Sequence, residues 1–200
     1  MNKFEAFPIA SFLVLIFLVL SRIIYLKRKG ILVSSNSLKK SKTKILINAI
    51  FGAILLLWIF ELSRPVLLSS FSILPENITK LLVDSFIMKI AGFSIITFSL
   101  VILLATLLHF KNSLRFGLDE NNRGKLVTKG IFAISRNPFF LSLDLYFLGI
   151  AILLPSVLFV GFSVLAIVSI HFFILKEEKF MRKIYGSEYE KYAQKVRRYF

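Results

Sequence analysis

Two short polar motifs flank the longest apolar run of this 200-residue chain, and their residue types are suited to binding a charged ligand. Arg136, Asn137 and Pro138 stand at the start of the run, and the adjacent carboxylates of Glu177 and Glu178 follow it. Two neighbouring glutamates can bind a cationic ligand or orient a cationic side chain such as Arg136. Backbone groups freed at Pro138 could contact the same ligand. An ordinary ion pair at a solvated helix end is the alternative that the spacing leaves open.

The apolar run between these motifs, residues 137–175, is too long to be one membrane helix. Its 39 residues would make a helix about 58 Å long, nearly twice the hydrocarbon thickness of a bilayer. Pro155 lies near its middle, and proline lacks an N–H and disfavours helical conformation in the residue before it. We therefore predict two antiparallel spans, at about 138–154 and 157–175, with a very short turn. The two polar motifs then lie near one another in space.

Three further apolar segments have the length of a bilayer-spanning helix, at about residues 7–26, 45–63 and 84–110. The chain is therefore predicted to be an all-α integral membrane protein with about five transmembrane helices. The last two form a tight helical hairpin, and a cytoplasmic C-terminal helical segment follows. Residues 65–83 suggest an interfacial loop with a short helix that starts near Pro75, and Glu61 and Lys89 are expected to snorkel toward the interface.

Basic residues are concentrated at the ends of the predicted spans. The chain has 26 Lys and Arg against 11 Asp and Glu, a formal charge of +15 at pH 7, and a mean hydropathy of +0.77. Segments 27–44, 111–137 and 176–200 carry 7, 6 and 8 basic residues against 0, 2 and 4 acidic ones. Five spans place these segments on one face, so the positive-inside rule predicts an N-terminus outside and a cytoplasmic C-terminus. Such clusters also suit anionic headgroups, so no nucleic-acid partner is expected.

Several other kinds of site have no support in the sequence. The absence of cysteine excludes disulfides, thiol nucleophiles and cysteine-ligated metals. His109 and His171 with scattered carboxylates do not form a metal site, and HExxH, GxGxxG, Walker A and GxSxG motifs are absent from the sequence. Asp144 lies about one and a half turns inside the fourth span. It faces a cavity or a partner, makes a structural hydrogen bond to a neighbouring helix, or belongs to a span that begins later than residue 138.

From residue 115 to the end, the chain resembles a known superfamily. The stretch RFGLDENNRGKLVTKGIFAISRNPFF, an apolar hairpin and KEEKFMRKIYGSEYEKYAQKVRRYF occur in this order. They resemble xLVTxGxYxxxRHPxY, a helical hairpin and EExxLxxxFGxEYxxY of the isoprenylcysteine carboxyl methyltransferase and phospholipid methyltransferase superfamily. The resemblance implies an integral membrane enzyme that uses S-adenosylmethionine. It also implies that the cofactor is enclosed between the ends of the last two spans and the C-terminal segment.

The resemblance also implies site residues, position by position. The candidates for cofactor binding are Gly124, Lys125, Leu126, Val127, Phe132, Asn137, Pro138, Phe139, Phe140, Glu177 and Glu178. The backbone and apolar side chains of residues 124–132 would bind the adenosine, and the two carboxylates would hold the ammonium of the methionine part. The catalytic candidates are Arg136, Asn137 and Glu178. Arg136 could bind the cofactor carboxylate or an anionic group of the substrate.

Four positions depart from the superfamily pattern. Asn137 stands where histidine is usual, and an amide can hydrogen-bond but cannot titrate usefully. Phe132 and Phe140 replace tyrosines and lose two hydroxyls. Phe173 occupies the position at which members that methylate a prenylcysteine carboxylate are expected to carry an arginine. Its absence weakens the case for a carboxylate substrate and leaves a phospholipid amine, another prenyl compound or a small hydrophobic acceptor as alternatives.

The implied activity is methyl transfer to a lipophilic acceptor, prenylcysteine-like or phospholipid-like, at the cytoplasmic face of the membrane. A membrane lipid or a prenylated small molecule or peptide would be the acceptor. The alternatives are an NADPH-dependent membrane reductase of the sterol type and a non-enzymatic scaffold with a decayed methyltransferase motif. We interpret the chain as one domain. Residues 1–110 hold three spans and the basic loop 27–44, and residues 111–200 hold a methyltransferase-like catalytic region.

Overall fold

The computed structural model describes residues 3–31, 42–67, 71–110 and 126–199. Within these ranges the chain contains helices and no strand, which confirms the predicted all-α class. A 3₁₀ turn spans Gly130–Ala133. The α-helices are α1 (Lys3–Arg28), α2 (Lys42–Leu67), α3 (Glu76–Thr79), α4 (Phe86–His109), α5 (Pro138–Leu153), α6 (Val157–Tyr185) and α7 (Ser187–Lys195).

Four of the described helices, α1, α2, α4 and α6, are long and apolar enough to cross a membrane. α5 is also apolar but has 16 residues, a length of about 24 Å, which is less than the hydrocarbon thickness of a typical bilayer. α6 has 29 residues and extends well beyond the predicted end of its span at 175. Since residues 176–185 contain neither glycine nor proline, the helix continues to Gly186, whose φ of +52° ends it.

α5 and α6 form the predicted hairpin, with a turn of three residues. Pro155 lies in this turn, and the Ser156 hydroxyl accepts a hydrogen bond of 3.3 Å from the Phe159 N–H at the start of α6. The Leu82 N–H donates a hydrogen bond of 2.7 Å to the Pro155 carbonyl, so the segment before α4 meets the turn. α4 therefore runs antiparallel to α5.

The opposite end of the bundle holds His109, Asn137 and Glu178, and we call it the site end. His109 at the end of α4 packs against Gly130, where an added Cβ would overlap the imidazole ring. Gly130 also has a φ of +67°, which residues with a Cβ adopt rarely. A side chain at residue 130 is therefore disfavoured both by the contact with His109 and by the backbone conformation. Glycine lets the chain turn close to the end of α4 before α5 begins.

A single tryptophan joins four helices in the core. Trp58 of α2 is fully buried, with 0% exposure. Its ring lies 5.4 Å from Phe12 of α1, 6.0 Å from Phe147 of α5, and 6.1 and 5.1 Å from Phe159 and Phe162 of α6, between ring centroids. Trp58 lies in the second half of α2, and its neighbour Phe159 lies near the hairpin turn. α2 therefore ends at the turn side of the bundle and begins at the site end.

Two glycines allow α4 and α5 to pack backbone against backbone. A Cβ at Gly92 would lie 2.6 Å from the Leu153 amide nitrogen, and one at Gly149 would lie 2.7 Å from the Ile96 Cγ1. Small residues have this role where membrane helices approach closely. The contact fixes α5, whose first residues belong to the candidate site, against α4.

The expectation that Glu61 and Lys89 snorkel is wrong for Glu61. Its side chain is buried, with the carboxylate 2.7 Å from the Arg64 guanidinium and 2.8 Å from the Ser72 hydroxyl. An ion pair inside the protein offsets the desolvation cost that snorkelling would avoid. Lys89 pairs with the exposed Asp84.

A side chain at Gly92 should destabilise the fold. We expect Gly92→Ala to lower the free energy of unfolding by about 1–3 kcal/mol, because the added Cβ overlaps the Leu153 backbone. Gly161→Ala in α6 is the matched control, since a Cβ there meets no atom within 4 Å, and it should change stability by less than about 1 kcal/mol. Thermal unfolding in detergent, followed by Trp58 fluorescence, measures both. Equal melting temperatures would contradict the packing argument.

Candidate functional site

The centre of the site end is the buried carboxylate of Glu178, which is 4% exposed. Its Oε1 accepts a hydrogen bond of 3.2 Å from the Asn137 side-chain amide and lies 3.3 Å from the Arg136 guanidinium. Arg198, near the C-terminus, donates from Nε to Oε1 at 3.1 Å and from Nη2 to Oε2 at 2.9 Å. The two polar motifs predicted from the sequence are therefore in direct contact, with a third element bound to both.

The two-pronged contact with Arg198 is the strongest geometry in this cluster. Parallel N–H donors of a guanidinium match the two oxygens of a carboxylate, and such charge-assisted bonds exceed neutral ones. The hydrogen bond to Glu178 raises the pKa of Arg198 above its usual value. Glu178 is thus neutralised by cations inside the protein.

Asn137 reaches Glu178 because of the way α5 begins. Asn137 precedes the first helical residue, Pro138, and its side chain makes no capping hydrogen bond. Proline fits the first turn of a helix because its missing N–H is not needed there. The Asn137 backbone N–H donates to the Ser135 hydroxyl at 3.2 Å. Because the side-chain amide is not used for capping, it is available to cross to α6.

The C-terminal tail, residues 196–199, lies across the start of α5 and contacts α6 at His171 and Glu178. The Arg136 N–H donates to the Arg197 carbonyl at 3.0 Å, and the Ser135 hydroxyl donates to the Arg198 carbonyl at 3.1 Å. The Tyr199 hydroxyl lies 2.9 Å from Nδ1 of His171 in α6. Backbone and side-chain contacts together hold the tail over the site.

The loop before α5 packs against α7. The Tyr192 hydroxyl donates a hydrogen bond of 2.6 Å to the Phe132 carbonyl, and Leu126 packs on a cluster that Tyr189, Tyr192 and Val196 form. Burial raises the pKa of Tyr189 to about 12 and raises that of Tyr192 as well, so both phenols stay protonated at neutral pH. A hydrogen bond and an apolar face thus position the loop.

Glu177 differs sharply from its neighbour. Its side chain is half-buried, and no hydrogen bond or ion pair within the described ranges engages its carboxylate. Arg136 offers a complementary unmet group, because its Nε is buried and has no hydrogen-bond partner among the described residues. Two groups near Glu178 therefore have no partner among the described residues, the carboxylate of Glu177, which precedes it in α6, and the Nε of Arg136, whose guanidinium contacts it.

The structure places the other predicted residues as follows. Phe132 is buried in the 3₁₀ turn, with its ring 4.8 Å from Phe110. Phe139 packs against the transmembrane core, and Phe140 packs against Phe173 at 5.4 Å between ring centroids. Pro138 is buried and Val127 is half-buried. Gly124 and Lys125 lie outside the described residues, as does more than half of each of the basic segments 27–44 and 111–137.

Sequence reasoning did not single out Arg198, Tyr192 or Tyr199. Tyr189, Tyr192 and Val196 follow a spacing of three and four residues, which indicates one buried helix face and could have drawn attention to α7. Arg198 has no such signal, because it is one of eight basic residues in segment 176–200. Within the described ranges, no group of three or more His, Asp or Glu side chains could hold a metal ion.

The fold and the site together define a multi-pass membrane protein with a cluster of charged side chains where α5 begins beside α6. A family model described as phospholipid methyltransferase matches residues 87–188, just over half of the chain. The chain belongs to the phospholipid methyltransferase family. The matched range contains α4, the α5–α6 hairpin and Glu178, but not the tail that covers them. No curated protein matches the chain significantly.

Removing the Arg198 side chain should release the tail. We expect Arg198→Ala to lower the free energy of unfolding by about 1.5–3 kcal/mol, the range for hydrogen bonds to a charged group, and to expose the C-terminus to carboxypeptidase. Arg197→Ala is the matched control, because the Arg197 side chain is exposed. Mass spectrometry measures the rate at which carboxypeptidase digests each variant. Equal rates for the two variants would contradict the conclusion that Arg198 holds the tail.

Proposed function

We propose that this protein transfers a methyl group from S-adenosylmethionine to a lipophilic acceptor at the site end. The observation that carries the proposal is the pair of unmet groups beside Glu178, the Glu177 carboxylate and the buried Arg136 Nε. A carboxylate and a guanidinium N–H complement the ammonium and carboxylate of an amino acid, and the methionine part of the cofactor has both. Membership in the phospholipid methyltransferase family supports the same reaction.

Different residues of the chain would contact different parts of the cofactor. Glu177 would bind its ammonium and Arg136 its carboxylate, while Leu126, Val127 and Phe132 would line the adenosine. The bound cofactor supplies a methyl group made electrophilic by its sulfonium. The residues in turn position this group and exclude water, which are the tasks that matter for an in-line displacement. The tail over α5 and α6 serves the exclusion of water.

Glu178 has a different role in this proposal from the one predicted by the resemblance. Its two oxygens already accept hydrogen bonds from Asn137 and Arg198 and lie beside Arg136. A carboxylate with these partners is poorly placed to bind another cation, so we assign the ammonium to Glu177 alone. Glu178 instead holds Arg136, the start of α5 and the tail in place.

Asn137 fits a positioning role. Its amide donates to the Glu178 carboxylate and to the Arg198 carbonyl, at 3.2 and 3.3 Å. Neither contact needs a titrating group, so an amide at this position performs the same bridging as a protonated imidazole would. The departure from the usual histidine is therefore compatible with an active site.

Cofactor affinity should depend on Glu177. We expect Glu177→Gln to weaken binding of S-adenosylhomocysteine by about tenfold or more, because an amide cannot pair with an ammonium charge. Glu188→Gln, at an exposed position of α7, should leave the affinity unchanged. Calorimetry in detergent measures both, with Trp58 fluorescence as the check on folding. Absence of binding to the folded wild-type protein would refute the proposal, and competition by NADPH would favour a reductase.

We also propose that the site end faces the cytoplasm. The ring of Phe7, near the start of α1, lies 4.2 Å from that of Phe93, near the start of α4, so α1 begins at the turn side and ends at the site end. α2 ends beside the hairpin turn, so it begins at the site end. The described parts of the three basic segments therefore share one end of the bundle. The positive-inside rule then assigns that end to the cytoplasm.

Cysteine labelling tests this orientation, because the chain contains no cysteine of its own. We expect Asn77→Cys, exposed in α3, to react with a membrane-impermeant maleimide on intact cells. Gln194→Cys, exposed in α7, should react only after permeabilisation. The opposite pattern would place the site outside.

A further inference from the structure

The C-terminal tail is attached to the site end mainly by polar contacts. Among the described residues that follow Val196, none is buried. Hydrogen bonds, an ion pair and one ring contact join these residues to residues 135–137, His171 and Glu178. Water can replace hydrogen bonds of this kind, and segments with few buried apolar contacts open at a low cost in free energy. The tail is therefore suited to local opening.

Val196 is a fixed point about which the rest of the tail can rotate. Its side chain is 9% exposed and packs with Tyr189 and Tyr192 of α7. Its N–H donates a hydrogen bond of 3.0 Å to the Tyr192 carbonyl, and its backbone is extended, with φ −120° and ψ 132°. A rotation of the backbone after Val196 would move Arg198 without disturbing α7.

The tail is the outer layer over Arg136, the residue that the proposed function assigns to the cofactor carboxylate. Exposure of the side chains increases outward, from 5% for Glu178 to 10% for Arg136 and 32% for Arg198. The two guanidinium groups contact the same oxygen, Oε1 of Glu178, so Arg198 lies directly beside Arg136. The Arg136 Nε is itself buried. A ligand from solution can contact this N–H only after the atoms that cover it move.

The ion pair between Arg198 and Glu178 can break without leaving a buried charge alone. Burial opposes ionisation of the Glu178 carboxyl, but the hydrogen bond from Arg198 and the charge of Arg136 hold its pKa below the usual value. Asn137 and Arg136 stay in contact with the carboxylate when Arg198 leaves. Since an unpaired buried charge is the costly state, these two partners make opening of the tail accessible.

We propose that the tail is a lid on the cofactor site, with the ion pair of Arg198 and Glu178 as its latch and Val196 as its hinge. This inference rests on the proposed function. The lid opens to admit S-adenosylmethionine and to release the demethylated product, and it closes during transfer to exclude water. The tail lies outside the range 87–188 that the family model matches, so membership in the family does not by itself imply a lid.

Cross-linking the tail to α6 tests the lid, because the chain has no cysteine of its own. His171→Cys combined with Tyr199→Cys places two thiols where the tail meets α6. A short bis-maleimide that joins them holds the lid closed. We expect binding and release of S-adenosylhomocysteine both to slow by about tenfold or more, since a closed lid blocks both directions. Surface plasmon resonance in detergent measures both rates. The same variant capped with N-ethylmaleimide is the control and should exchange at least as fast as the wild-type protein.

Loss of the latch should have the opposite effect. We expect Arg198→Ala to raise the dissociation rate of S-adenosylhomocysteine by about tenfold or more, the effect of losing hydrogen bonds to a charged group. Arg198→Lys should restore part of the slow release, because an ammonium keeps the charge but not the two-pronged geometry. Arg197→Ala, which changes an exposed side chain, should match the wild-type protein. Trp58 fluorescence verifies that each variant is folded.

The outcomes separate the lid from the proposed function. Equal exchange rates for the cross-linked and wild-type proteins, or for Arg198→Ala and Arg197→Ala, would overturn the lid while S-adenosylhomocysteine still binds and the proposed function stands. Failure of the folded wild-type protein to bind S-adenosylhomocysteine would overturn both. Should the paired cysteines prevent folding, the release rates of the Arg198 variants decide.

Discussion

The rest of the site depends on one buried carboxylate, that of Glu178. Burying a charge costs several kcal/mol unless partners replace its water. Here the partners come from two parts of the chain, Arg136 and Asn137 before α5 and Arg198 in the tail, and they bind a carboxylate that belongs to a third part, α6. Each element is therefore held where the carboxylate needs it. The same contacts close the hairpin at the end opposite its short turn, and they bring the tail over the start of α5 and the adjoining part of α6.

The apolar bundle makes that arrangement possible. Gly92 and Gly149 let α4 and α5 approach backbone to backbone, and Trp58 ties α2 to α1, α5 and α6. With α4 and α5 fixed, the 3₁₀ turn can pack on the end of α4 while Tyr192 of α7 bonds its carbonyl. The family match covers α4 through the start of α7, so the elements that carry the proposed site belong to the part of the chain that defines the family.

Charge is divided unevenly along the hairpin. Glu178 is neutralised by internal cations, while Glu177 and Asp144 have no cationic partner among the described residues. Glu177 lies at the level of the loop and the tail, and Asp144 lies further into the apolar bundle.

The spans, the hairpin and the two motifs that meet at its open end could be predicted from the amino-acid sequence alone. These follow from apolar length and from proline, which act locally, so Pro155 and the motifs around Asn137 and Glu178 could be located to within a residue or two. The packed structure was needed to show that Glu177 is the free glutamate, that Arg198 among the basic residues of the tail binds Glu178, and that Glu61 is buried. The physical reason is that an ion pair depends on which side chains the packed helices bring within about 3 Å of each other, and neighbouring charges of one sign look alike along the chain.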